Sequence, residues 1–224
     1  GDWSSDVCSS DLTACLTQDI DRANQMLDDA GYADTDGDGV RETPDGMAMN
    51  ILFQTSTNAV RQDFQALIKE NWEEIGMSVE LRNIDSGVFF GGDPGSPDTF
   101  QRFYADVEMY ANNFPGTDPQ AYLGAYLCDN IPSPDTQWQG ENINRVCDEG
   151  YDELWTTLTT TADLEQRGEI AKQLNNMVTA DSNIIVPLVD RGRVSAHANS
   201  LGGVELNTWD SELWNAASWY RIPG

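Results

Sequence analysis

The chain has 224 residues, 39% of them hydrophobic and 7 of them tryptophan, which is enough to bury one large core. Its 38 acidic residues outweigh 12 basic ones, and a net charge of -26 repels phosphate backbones and anionic membrane surfaces, so nucleic acid is excluded as a partner. The acidity is spread along the chain and lysine occurs only at Lys69 and Lys172, the composition of a solubilising surface.

No apolar run approaches the roughly 20 residues of a membrane helix, and the first residues lack the basic and apolar regions of a signal peptide. Asp2 to Leu12 read as the translation of a common sequencing-adapter oligonucleotide. Residues 1–12 are therefore expected to be a foreign, disordered segment, which strips Cys8 of biological meaning. The natural protein is expected to begin upstream of Thr13, with any signal peptide and membrane anchor there.

From Thr17 to Ala30, the apolar residues Ile20, Ala23, Met26, Leu27 and Ala30 recur at helical steps, and Gly31 is a natural stop. Asp34, Asp36 and Asp38, followed by Gly39, repeat the opening of a calcium-binding loop, with Asp45 at the twelfth position. Asp45 is shorter than the usual glutamate, and Pro44 with a following strand replaces the second helix, so a full EF-hand is excluded. What remains is either a structural calcium clamp or a solvated turn.

Met47 to Gln54 reads as a strand and Asn58 to Ile75 as a helix with Val60, Phe64, Leu67, Ile68, Trp72 and Ile75 inward. Met77 to Ile84 alternates as a second strand, completing a βαβ unit. Asp85 to Phe100 is Gly-, Pro- and Asp-rich and is predicted as a loop, and Ala105 to Tyr110 as a third strand. Tyr151 to Thr160 and Ala162 to Ala180 read as helices. Ile184 to Val189 and Val194 to Ala198 read as short strands around Arg191 and Gly192. No repeat or linker divides this mixed α/β order, so one principal domain is expected.

The run Ala30-Gly31-Tyr32, then Asp36-Gly37-Asp38-Gly39-Val40-Arg41, Asp45-Gly46 and, after strand and helix, Ile75-Gly76-Met77-Ser78-Val79-Glu80 resembles the family-5 extracytoplasmic solute-binding proteins of ABC transporters. These include oligopeptide- and dipeptide-binding proteins. The resemblance continues through Tyr110 to Leu123, Trp138, Gly140, Asn142, Arg145, Asp152-Glu153-Leu154 and Ile185-Val186-Pro187-Leu188. It implies an α/β fold, the C-terminal lobe of a type II periplasmic-binding-protein (Venus-flytrap) architecture. Residues 13–190 would form the lobe and 191–224 return towards the N-terminal lobe, with ligand between the two. The implied protein is a monomeric, membrane-anchored importer component in the periplasm or at the cell surface. It would hand peptides to a permease, use no cofactor beyond a candidate structural calcium, and perform no catalysis.

Ligands of open α/β sheets sit beyond the carboxyl ends of the strands, which points to the loop after Tyr110. In the peptide-binding relatives that loop carries an aspartate for the ligand's ammonium group, and Asn113, beside Asn112, stands in its place here. Asp118 either restores the charge or serves turn chemistry. Tyr110 and Trp138 offer flat apolar walls, and Asn142 and Arg145 offer polar anchors for a ligand carboxylate. Against this, Trp138 could equally pin its Pro-rich loop to the core, and Arg145 could bridge acidic neighbours. The resemblance further implies a Cys128–Cys147 disulfide, worth roughly 3 kcal/mol for a loop of about 20 residues, in an oxidising compartment. Two buried thiols or a metal pair are the alternatives, and Cys15 has no evident partner. An uncharged oligosaccharide is a second ligand class, favoured by Asn113 and the aromatic content. A secreted glycosidase is a third reading, needing two carboxylates at catalytic separation. The lone His197 has no nucleophile motif near it.

Overall fold

The computed structural model describes residues 17–113, 116–189, 195–207 and 211–223. The adapter-like segment, Cys15, Arg191, Gly192 and Val194 lie outside the described residues. Helix α1 (Ile20–Asp29) starts where Asp19 accepts the Arg22 amide and ends at Gly31, whose φ of 84° is the left-handed conformation that glycine adopts without strain. A tight acidic turn and a small antiparallel bridge, Ala33 to Glu42 to Ala48, lead into strand β1 (Asn50–Ser56). Helix α2 (Ala59–Glu74), capped by Asn58, returns the chain to strand β2 (Ser78–Ile84), parallel to β1. Short helix α3 (Ser86–Phe89) interrupts the predicted loop and buries Phe89 completely. Strand β3 (Val107–Met109) then joins the other side of β1, giving a parallel sheet of order β2-β1-β3.

Side chains alternate across this sheet. Phe53 faces α2, stacking on Trp72 at 5.5 Å between ring centroids. Of the residues predicted to face inward on α2, Ile75 is buried and Phe64, Ile68 and Trp72 half-buried, whereas Val60 and Leu67 are exposed. Gln65 takes the central position instead, because its amide donates to the Phe53 carbonyl at 2.9 Å.

A second core is helical. Helix α4 (Gln120–Leu123) and the following 3-10 turn, Gly124–Tyr126, pack against two longer helices in mutual contact, α5 (Glu149–Thr160) and α6 (Leu164–Val178). Leu123, Tyr126, Tyr151, Leu158, Leu174 and Val178 fill the space between them. Asp148 and Asp163 cap the two long helices through backbone amides.

Two predicted strands are absent: Ile184 to Val189 and the described residues 195–198 are irregular. Val186, Leu188 and Val189 lie exposed, and Pro187 has no amide to give, so the apolar run finds no strand edge to pair with. The unpredicted pair near the C-terminus, β4 (Leu201–Gly202) and β5 (Tyr220–Arg221), is antiparallel.

Candidate functional site

Strand β3 ends at Met109, and Tyr110, Asn112 and Asn113 lead off its carboxyl end, with Phe114 and Pro115 outside the described residues. Asn112 and Asn113 are exposed amides, and the Asn112 side chain accepts the Asn113 backbone amide at 2.9 Å. Tyr110 is half-buried against Phe100, 5.4 Å between centroids, and burial pushes its phenol up to about 12. Asp118 carries its charge outward, but both oxygens are engaged: one accepts the Gln120 amide at 2.9 Å, the other pairs with Arg167 at 2.6 Å. That amide bond, with Arg167, holds its carboxyl below the usual value.

Cys128 and Cys147 are bonded, closing the segment that carries Trp138, Asn142 and Arg145. Asn142 is fully buried and donates to the carbonyls of Tyr126, Leu127 and Val146 at 2.7–3.0 Å while accepting the Val146 amide. Its amide therefore knits the loop from within and turns no polar atom outward. Arg145 adopts φ of 57° and donates to the carbonyls of Ile143, Gln101 and Arg102, tying this segment to the 101–102 loop rather than to acidic side chains. Trp138, also at positive φ, has the Arg102 guanidinium over its ring at 4.0 Å, so one face is occupied. Gly140 permits the close crossing beneath: a Cβ there would meet the Asn130 carbonyl oxygen at 2.3 Å.

The side of the sheet away from α2 carries residues that sequence reasoning missed. Arg82, Gln54 and Glu108 stand in register on β2, β1 and β3. Arg82 pairs with Asp98 at 2.5 Å and reaches the Gln54 carbonyl, and the Gln54 amide donates to Glu108 Oε1. Glu108 Oε2 is buried with no partner among the described residues. Burial raises this carboxyl to about 8, against the opposing effects of the Gln54 hydrogen bond and the Arg145 charge. The available signal was weak: two acids, Asp106 and Glu108, alternate with apolar residues in the short predicted strand.

Among the described residues, those that could hold a hard cation are Asp34, Asp36, Asp38 and Glu42, whose carboxylate oxygens lie within 4.8 Å of one another. Asp45 is not one of them. The bridge between Glu42 and Ala48 carries it into the next turn, and Glu42 takes the fourth place. Asp34 accepts the amides of Gly37 and Gly39, Asp38 that of Val40, and Glu42 the Thr35 amide and hydroxyl, so the loop is stitched by its own carboxylates.

Residues 4–133, more than half of the chain, match the family model described as bacterial extracellular solute-binding proteins, family 5 Middle. The chain belongs to this family. The matched span begins inside the adapter-like segment. The oligopeptide-binding protein AppA of Bacillus subtilis (strain 168) is 34% identical over 65 residues, 29% of this chain and 12% of AppA. The AppA structure with a bound nonapeptide superposes with a TM-score of 0.61 at 20% identity, covering 90% of this chain and 37% of AppA. NikZ from Campylobacter jejuni with Ni(L-His) gives a TM-score of 0.66 at 16% identity over 92% of this chain and 39% of NikZ. An oligopeptide ABC transporter binding protein from Thermotoga maritima with bound mannohexaose gives 0.54 at 20% identity over 72% of this chain and 29% of that one. The chain thus spans well under half the length of these family-5 relatives, and what they share with it structurally is the fold.

Proposed function

We propose that this chain forms the C-terminal lobe of the substrate-binding component of an ABC importer. That component captures peptides or peptide-like solutes outside the cytoplasm and delivers them to a permease. Family membership over residues 4–133, joined to the fold shared with peptide-bound AppA over 90% of the chain, carries the reading. The protein works as a membrane-anchored monomer. No helix among the described residues is long and apolar enough to cross a membrane.

The ligand meets Tyr110, Asn112, Asn113 and Trp138 at the carboxyl end of the sheet. Asn142 and Arg145 hold the loop beneath, and Asp118 braces helix α4 against α6 through Arg167. Calorimetric titration of the full natural protein against pooled di- to hexapeptides tests this. Saturable peptide binding is expected, and a response to oligosaccharides alone would sink the peptide assignment.

The oligosaccharide reading has its own support in the uncharged Asn113 and in the mannohexaose-bound relative. The glycosidase reading has little: Glu108 has an oxygen enclosed out of solvent, and Asp118 spends both oxygens on Gln120 and Arg167.

A further inference from the structure

The row starts at loop residue Asp98 and crosses three neighbouring strands through Arg82, Gln54 and Glu108, each polar group given to the next, and it stops at Glu108 Oε2. A buried acceptor without a donor is costly, so such an atom calls for a partner that the described residues do not supply. The other acids around the 106–118 segment are spoken for. Asp106 accepts the Leu52 amide at 2.7 Å, and Asp118 is paired with Arg167. Asn112 and Asn113 have no charge to offer. Gln54, gripped from the far side by Arg82, fixes Oε1 and thereby the direction of Oε2. The charged and titratable groups facing Glu108 are Arg145 from the disulfide-closed loop and Tyr110 from its own strand end, with Tyr122 and Glu141 acting on Tyr110 beyond. Phe100 packs on Tyr110 and the Arg145 charge acts on Glu108, and both residues stand in irregular segments rather than helix or strand.

We propose that Glu108 is a recognition residue of the cleft, its Oε2 taking a cationic N–H donor, an ammonium or guanidinium, from the bound solute. This rests on the solute-binding reading and moves the acid that selects charge from loop position 113 onto β3.

The test is a titration of the Glu108 carboxyl by carbon-13 NMR in the 224-residue chain, with methylguanidinium chloride as probe because its charge is constant across the range. Methylguanidinium should lower the Glu108 midpoint well beyond a sodium chloride control of equal ionic strength. In Glu108→Gln, folded by circular dichroism, the saturable shift of the Gln54 side-chain amide should vanish. A midpoint that moves no more than in the salt control overturns the proposal. Calorimetry on the full natural protein separates it from the parent reading. Trialanine should bind wild type roughly 10-fold or more tightly than Glu108→Gln, the scale of one charge-assisted contact. Equal affinity for both proteins overturns the proposal and leaves peptide capture standing. Absence of trialanine binding to wild type counts against peptide capture, and the NMR titration then decides on Glu108 alone.

Discussion

Glu108 makes the fold pH-sensitive in a direction that can be worked out. Its carboxyl is raised from 4.5 to about 8 because burial penalises the charged form, so the folded chain binds this proton more tightly than the unfolded one. The resulting stability is complete below pH 4.5 and is lost as pH climbs to about 8. Urea unfolding across that window should show Glu108→Gln losing less stability with rising pH than wild type, and being the more stable of the two at pH 8. A wild-type slope retained in the variant would assign the dependence elsewhere. Arg41 is the opposite kind of residue, a charge fully used: it donates to Asp28 at 2.5 Å, Asn24 at 2.9 Å and the carbonyls of Tyr32 and Ile75, and its stem lies against Gly76. Arg41→Met should cost roughly 2 kcal/mol, measured by chemical denaturation, since the buried carbonyls lose their donor. The motif around Arg41 was legible in the sequence, but its role was not, because four partners from two separate segments, Asn24 to Tyr32 and Ile75, meet only in the folded state.

At the scale of elements, the sequence announced those with strong local signals. Asn58 and Gly76 bracket α2, and the predicted Asn58 to Ile75 differs from Ala59–Glu74 by one residue at each end. The alternation of Met77 to Ile84 likewise foretold β2. Failures came where pairing decides. Ile184 to Val189 has strand composition but no partner edge, while β4 and β5 form from two residues each, fastened by the Ile222 amide on Ser200. The disulfide-closed loop depends on Gly140 for its crossing. Gly140→Ala should destabilise the chain by at least 1–3 kcal/mol, roughly the range for overpacking, because the atoms it would strike are backbone. Replacing Cys128 and Cys147 by serine should cost roughly 3 kcal/mol, read as a fall in denaturation midpoint. Asp34→Ala removes an acceptor of two backbone amides and should cost roughly 1–2 kcal/mol in EDTA as well as in calcium buffer. A loss seen only in calcium would instead mark the acidic turn as a cation clamp.

For the whole molecule, the sheet and the helical core meet at the segment from Tyr110 to Arg145, where the strand ends, the disulfide and the stacked Arg102–Trp138 pair converge. The resemblance pointed to this region from residue order alone, and the family match over residues 4–133 establishes the membership. What spacing could not show is the division of labour inside it: Asn142 faces inward, Arg145 grips carbonyls, and Glu108, on the strand before the loop, keeps Oε2 without a partner among the described residues. Such roles follow from burial and direction, which a linear pattern does not encode. The most direct test of peptide capture is calorimetry of the full natural protein against pooled di- to hexapeptides and pooled oligosaccharides. Saturable binding of peptides is the expected result; binding of oligosaccharides alone would contradict the peptide assignment while leaving the fold intact.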